Sequence, residues 1–203
     1  VSLRSIPSFD VEKIAKKFGH QFYFKHGLIG ACALDKTGNS LPDETLALCK
    51  QSDAILFGAI GDPKFDLDPK AITRPEQGLL KLRQSLKLFT NLRPVKIYRD
   101  LINISPLKKD RLENVDLMIV RELTGGIYFG KPRLRKNKGK TAVDTSIYSK
   151  EEITRVAKVA FEMAFARRRK VTSVDKANVL ETSRLWRETV MELSIKYPTV
   201  ELN

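Results

Sequence analysis

Residues 42–60, PDETLALCKQSDAILFGAI, carry the pattern that decides the fold class. Pro42 and Asp43 open a helical segment: proline suits the first turn of a helix, and an acid there meets its unpaired N–H groups. Residues 54–60, AILFGAI, follow as an unbroken apolar run, the pattern of a strand buried on both faces. A helix feeding such a strand is the rhythm of an α/β sheet. Working outward, residues 10–18 repeat apolar side chains at helical spacing and stop at Gly19, a residue suited to a left-handed cap. Residues 21–24, QFYF, are strand-like and are punctuated by Gly27 and Gly30. Downstream, residues 116–120, DLMIV, predict another strand, and residues 170–174 a short β-branched one. Ser149 and Glu152 form a capping-box pattern that opens a long amphipathic helix. A last helix runs to Tyr197 and Pro198, and the chain stops in an incipient strand, TVELN.

A chain of 203 residues, 42% of them hydrophobic, has room for one large domain or two small ones. No apolar run reaches the roughly 18 residues that span a bilayer, and residues 1–9 lack the apolar core of a signal peptide. Cys32 and Cys49 form no CxxC pair, which predicts two reduced thiols, packed as small apolar residues, in a cytoplasmic protein. The formal charge of +13 raises the question of nucleic acid. The excess is concentrated in residues 131–140, KPRLRKNKGK, which read as a basic arm, and in residues 167–170, which read as the basic end of a helix. Neither run is interleaved with aromatic residues on which bases could stack, so both are expected to be solvated.

Residues 78–94, GLLKLRQSLKLFTNLRP, hold Arg83 and Arg93 ten positions apart. Two guanidiniums brought together make a fork for carboxylates, each donating paired, charge-assisted hydrogen bonds. The plainer alternative is a pair of solvated surface charges; against it, leucines at 79, 80, 82, 86 and 88 surround the helix, and a charge among leucines needs a partner. The apolar run 54–60 ends in Gly61-Asp62-Pro63-Lys64, and the ends of strands in open α/β sheets collect ligands, although turn chemistry alone also explains Gly61 and Pro63. The strand DLMIV runs directly into RELTGGIYFG, which sets Arg121 at a strand end with a double glycine and Tyr128 behind it.

With these pieces in place, the sequence resembles the isocitrate/isopropylmalate family of β-decarboxylating dehydrogenases. The resemblance rests on LPDETL, GAIGDPKFD, RPEQGLLKLR, LFTNLRPVK, SPLK, RELTGGIYFG, SVDKANVLETSRLWRE and YPTVEL, in family order over nearly the whole chain. It implies that Arg83, Arg93 and Arg121 clamp the substrate carboxylates, that Tyr128 helps protonate the enol left when carbon dioxide departs, and that Lys176 acts across a homodimer interface to help draw the proton from the substrate hydroxyl. Gly61, Asp62, Pro63, Lys64 and Glu76, with Asn178, are implied to meet the cofactor, NAD, and the loop of residues 62–76 matches a segment that contacts it. Leu79, Leu80 and Val179 are implied to line a pocket for an isopropyl group, where a carboxylate without a partner would be rejected. The activity implied is NAD-dependent oxidative decarboxylation of 3-isopropylmalate to 4-methyl-2-oxopentanoate, in leucine biosynthesis, with Mg2+ or Mn2+ polarising the hydroxyl.

The expected architecture is an isopropylmalate dehydrogenase-like two-domain α/β sheet fold, incomplete at both termini. Residues 1–92 are expected to form part of the cofactor-side domain, and residues 93–203 the central, dimer-forming domain with a basic arm near 131–148. The family's opening strand with its GDGIGPE turn has no counterpart before Val1, and its metal-binding aspartates fall beyond Asn203, so no metal ligand is expected within the chain. Asp144, Asp175 and Glu181 read as loop, turn and cap residues. Two alternatives remain: a sibling enzyme acting on tartrate, homoisocitrate or isocitrate, and a basic, non-catalytic nucleic-acid binder. No membrane association is expected.

Overall fold

In a computed structural model the chain divides into two compact units, residues 1–87 and 88–203. The structure describes residues 8–67 and 73–203. The division falls just before the expected boundary near Leu92, because Thr90 to Lys96 are laddered as one strand within the second unit.

The first unit is helical among its described residues: α1 (Ser8–Phe18), α2 (Ala31–Thr37), α3 (Asp43–Lys50), α4 (Pro63–Leu67) and α5 (Pro75–Ser85). Helix α1 ends at Gly19, whose φ of +70° supplies the left-handed stop. Its core gathers Ala31, Ala33, Leu41 and Leu82, with Thr45 buried and its hydroxyl donating to the Leu28 carbonyl at 2.8 Å. Gly78 is a close-approach residue: a Cβ there would stand 2.3 Å from the Ser40 carbonyl oxygen. Two short helices, α2 and α4, lie where the sequence suggested only punctuation and loop, since each is shorter than the two turns a periodicity argument needs.

The apolar run 54–60 departs from expectation. It is in no ladder, and Ile55 and Leu56 are 38% and 56% exposed. Its end is fastened at Ile60, whose carbonyl accepts the Ala31 N–H at 3.0 Å. An apolar run becomes a buried strand only when another strand satisfies its backbone, and no described residue does so here. Residues 21–24 behave alike: no ladder forms, and rings of Phe18, His20, Phe22 and Phe24 follow one another at 6.1–6.4 Å along one side of the backbone.

The second unit is built from three pairs of strands and two helices. β1 (Thr90–Lys96) and β2 (Asp116–Glu122) pair antiparallel, from Thr90 opposite Glu122 to Lys96 opposite Asp116. β3 (Leu134–Lys136) and β4 (Thr141–Val143) form a short hairpin that contains most of the basic arm. Within the arm Arg133 pairs with Asp144 at 3.1 Å, which assigns that acid to an ion pair. β5 (Lys170–Val171) and β6 (Glu201–Leu202) pair in parallel, and α7 (Glu181–Ser194) supplies the crossover that parallel strands need. This is the α/β rhythm expected from the sequence, carried by a different segment.

Helix α6 (Lys150–Phe165) begins in the predicted capping box: Ser149 Oγ accepts the Glu152 N–H at 3.2 Å, and Glu152 Oε2 accepts the Ser149 N–H at 2.9 Å. Its buried stripe, Ile153, Ala157, Phe161 and Ala164, follows the helical period and packs on Val190, Leu193 and Val200. The Phe161 and Tyr197 rings stack at 5.0 Å. The cations at 167–170 lie beyond the helix end and are partnered. Arg167 binds Asp116 at 2.8 Å, which holds that carboxyl below the usual carboxylate range, Arg168 donates to the Asp116 carbonyl, and Lys170 pairs with Glu201 at 3.2 Å. No helix among the described residues is long and apolar enough to cross a membrane.

Candidate active site

The β1–β2 register decides which side chains share a face. Asn91 lies opposite Arg121 and Arg93 opposite Ile119, so Asn91, Arg93 and Arg121 project from one side of the ladder. Arg93 and Arg121 are diagonal neighbours, a relation that puts Cβ atoms about 7–8 Å apart, within reach for long side chains. Arg93 Nε donates to Asn91 Oδ1 at 2.6 Å. Beyond β2 the chain turns through Gly125 and Gly126 into a single 3-10 turn, Gly126–Tyr128, which brings the Tyr128 ring under the Arg121 guanidinium at 5.7 Å. Gly126 is required twice: its φ is +75°, and a Cβ would lie 2.3 Å from Tyr148 Oη. Its N–H donates to the Ile147 carbonyl at 2.7 Å.

Arg121 and Tyr128 line a cavity of about 310 Å³, walled also by Ile127, Tyr148 and Trp186. Tyr148 and Trp186 meet edge to face at 5.5 Å, and burial, with the Glu122 charge nearby, pushes the Tyr148 phenol up. Under this face sits Glu122, whose side chain is 2% exposed and accepts four hydrogen bonds: from the N–H groups of Thr124 and Gly125, the Thr124 hydroxyl, and Arg155.

In the first unit, Glu76, Leu79, Leu80 and Arg83 stand at i, i+3, i+4 and i+7 of α5, which makes them one stripe of that helix. Pro75, Gly78 and Leu82 form the buried stripe beside it. Leu79, Leu80 and Arg83 are half-buried and Glu76 is exposed. The Gly61 turn lies against Glu76: a Cβ on Gly61 would be 3.0 Å from Glu76 Oε1. Asp62 caps α4 by accepting the Lys64 N–H at 3.1 Å, and the Lys64 ammonium is held by Asp35 at 2.6 Å. Residues 68–72 of the expected cofactor segment lie outside the described residues.

The loop carrying Lys176, Asn178 and Val179 is fastened to α7. Asp175, 5% exposed, accepts from Arg187 at 3.0 and 2.7 Å and from the Ala177 N–H at 2.9 Å, and the guanidinium holds its carboxyl below the usual range. Arg184 donates to the Ala177 carbonyl at 3.0 Å and pairs with Glu181, and Trp186 Nε1 donates to Ser173 Oγ at 3.2 Å. Lys176, Asn178 and Val179 are themselves exposed, and none lines the Arg121–Tyr128 cavity. The structure therefore groups Arg93, Arg121 and Tyr128, groups Glu76, Leu79, Leu80 and Arg83, and leaves the Lys176 loop as a third feature. What sequence reasoning missed are the anchors: Glu122, Arg155, Arg184, Arg187 and Trp186. One signal was present for Arg155, which lies three residues beyond Glu152 of the capping box and so on its face of α6.

The isocitrate/isopropylmalate dehydrogenase family matches residues 9–203. The 3-isopropylmalate dehydrogenase of Heyndrickxia coagulans is 56% identical over 91% of this chain and 50% of its own length. That of Bacillus subtilis is 53% identical over 95% of this chain and 53% of its own. Among solved structures, isocitrate dehydrogenase from Methylococcus capsulatus superposes with a TM-score of 0.70 at 28% identity, covering 94% of this chain and 53% of that one. A beta-decarboxylating dehydrogenase from Thermococcus kodakarensis superposes with a TM-score of 0.66 at 28% identity, covering 95% and 51%. The chain spans about half the length of the curated relatives it matches. A family match over residues 9–203, nearly the whole chain, places it in the isocitrate/isopropylmalate dehydrogenase family.

Proposed function

We propose that this chain holds the substrate and moves its protons in an NAD-dependent 3-isopropylmalate dehydrogenase of leucine biosynthesis, a cytoplasmic homodimer. The observation that carries the reading is the shared face of Arg93 and Arg121 with Tyr128 beneath Arg121, supported by the names of relatives at 53–56% identity. Two guanidiniums there offer paired donors to the carboxylates of a malate skeleton, and Arg83 is proposed as a further carboxylate donor. Leu79 and Leu80, with Val179, receive the isopropyl group; an apolar wall stabilises it by about 0.8 kcal/mol per CH₂ and leaves a further carboxylate unpaired.

NAD bound along Gly61, Asp62, Pro63, Lys64, Glu76 and Asn178 supplies the hydride acceptor for the substrate's C2. The bare Gly61 beside Glu76 fits such a role by leaving the backbone open to close approach. As C2 becomes a ketone, Lys176 takes the hydroxyl proton, from the partner subunit's side of the site. The bond from C3 to the β-carboxyl then breaks, its electrons remain on the resulting enolate, and Tyr128 delivers a proton to C3. Among the described residues no group of three or more histidine, cysteine, aspartate or glutamate side chains could hold a divalent ion; Mg2+ or Mn2+ held by the completed enzyme would polarise the substrate hydroxyl.

The test is NADH absorbance with 3-isopropylmalate, isocitrate and tartrate, on the chain completed to its relatives' length. NADH formed fastest from 3-isopropylmalate, with KM raised at least tenfold by Arg121→Lys, is expected. A folded, completed protein that forms no NADH from 3-isopropylmalate would refute the reading.

A further inference from the structure

Arg121 and Tyr128 are both exposed side chains, with Tyr128 at 51%. Neither side chain is buried. Arg121 is fixed through the ladder, opposite Asn91, but Tyr128 stands six residues beyond Glu122, after a turn that contains two glycines. Glycine leaves the backbone many conformations, so something must select one.

Part of that selection comes from the Gly126 N–H bond to the Ile147 carbonyl and from Arg133, which donates to the Ile127 carbonyl; the start of the turn is set by one buried carboxylate. Glu122 Oε2 accepts the Thr124 N–H at 2.8 Å and the Gly125 N–H at 2.6 Å, while Oε1 accepts the Thr124 hydroxyl at 2.9 Å and Arg155 Nη2 at 3.0 Å. The same Nη2 donates to Thr124 Oγ1 at 2.6 Å, so carboxylate, hydroxyl and guanidinium close a ring. Arg155 is in turn set by α6: its guanidinium lies over the Phe89 ring at 5.0 Å, and Glu152 of the capping box is 3.8 Å away. The Leu123 N–H donates to the Phe89 carbonyl at 2.8 Å, tying the turn to the start of β1.

We infer that Glu122 and Arg155 are positioning residues for the acid–base step, holding the Thr124–Gly126 turn so that Tyr128 stays under Arg121. They touch no substrate in this reading. They act through Tyr128, whereas Arg93 and Arg121, held by the ladder, keep their places without them. The expected signature is a split: chemistry suffers and binding does not. The inference rests on the dehydrogenase reading for its kinetic arm only.

The experiment uses the enzyme completed to its relatives' length. Glu122→Gln keeps one carbonyl acceptor but loses the charge that Arg155 meets; Arg155→Lys keeps charge and loses the fork, and stands in if Glu122→Gln does not fold. Each is expected to lower kcat by about 10–100-fold, the cost of a misplacement near 1 Å, with KM changed less than about twofold. In a Tyr128→Phe background the same changes should lower kcat less than about threefold, because the group they position is already gone. Full multiplicative effects in that background, or a rise in KM equal to the fall in kcat, would overturn the inference. A second readout needs no turnover. In protein carrying tyrosine labelled at Cζ with carbon-13, Tyr128→Phe identifies the Tyr128 resonance, and that resonance is expected to move in Glu122→Gln and Arg155→Lys. If wild-type enzyme is inactive, the dehydrogenase reading falls and the resonance decides this one; an unmoved Tyr128 signal overturns it.

Discussion

Gly126→Ala tests the local argument at its tightest point. Two costs add. The alanine would have to hold a φ of +75°, which for a residue with a Cβ costs about 1–2 kcal/mol. Its methyl group would also stand 2.3 Å from Tyr148 Oη and 2.7 Å from Cζ. The backbone cannot yield freely, because the Gly126 N–H is bonded to the Ile147 carbonyl at 2.7 Å. Tyr148 must therefore leave its edge contact with Trp186, a forced repacking of about 1–3 kcal/mol. The sum is about 2–5 kcal/mol, which an m-value of about 2 kcal/mol/M turns into a fall of about 1–2.5 M in the urea midpoint of the second unit. In a Tyr148→Ala background the overlap is gone, and the same change should cost only the backbone part, about 1–2 kcal/mol. A loss below about 0.5 kcal/mol, or an equal loss in both backgrounds, would refute the reasoning.

Gly78→Ala should destabilise the first unit even though alanine is the better helix former by about 1 kcal/mol. The new methyl would meet the Ser40 carbonyl oxygen at 2.3 Å, so a net loss of about 1–2 kcal/mol is expected in urea unfolding, and a gain would show that α5 can shift. Asp175 carries a pH dependence: its folded carboxyl is depressed by Arg187, so its contribution is present above the unfolded value of about 3.9 and lost as the pH falls through the lower folded one. Amide protection at residues 177–180 should fall below about pH 4, and Asp175→Asn should abolish that pH dependence. Leu79→Ser with Leu80→Ser should raise NADH formation from isocitrate or tartrate relative to 3-isopropylmalate in the completed enzyme, and an unchanged preference would remove the pocket assignment.

Local signals read well wherever the backbone satisfies itself. Helices α1, α3, α6 and α7 and the capping box at Ser149 were legible, since a helix makes its own hydrogen bonds and needs only one apolar stripe. So was β2, long enough to carry its pattern. The run 54–60 misled because its composition states a preference for burial, and burial requires a partner that composition does not name. The arginines at 93 and 121 could be singled out from their neighbours, but their common face could not. A shift of one residue in the ladder would have turned them to opposite sides.

By itself the sequence determined the longer helices, the strand at residues 116–122 and the arginines whose chemistry suits carboxylates, because these follow from side-chain type and short-range spacing; Tyr128 and Lys176 were marked only by the family resemblance. The tertiary structure alone decided the β1–β2 register, the turn that brings Tyr128 under Arg121, and the enclosure of Glu122 by Arg155. Glu122 and Arg155 lie 33 positions apart, and nothing in a local pattern specifies the partner of a buried charge.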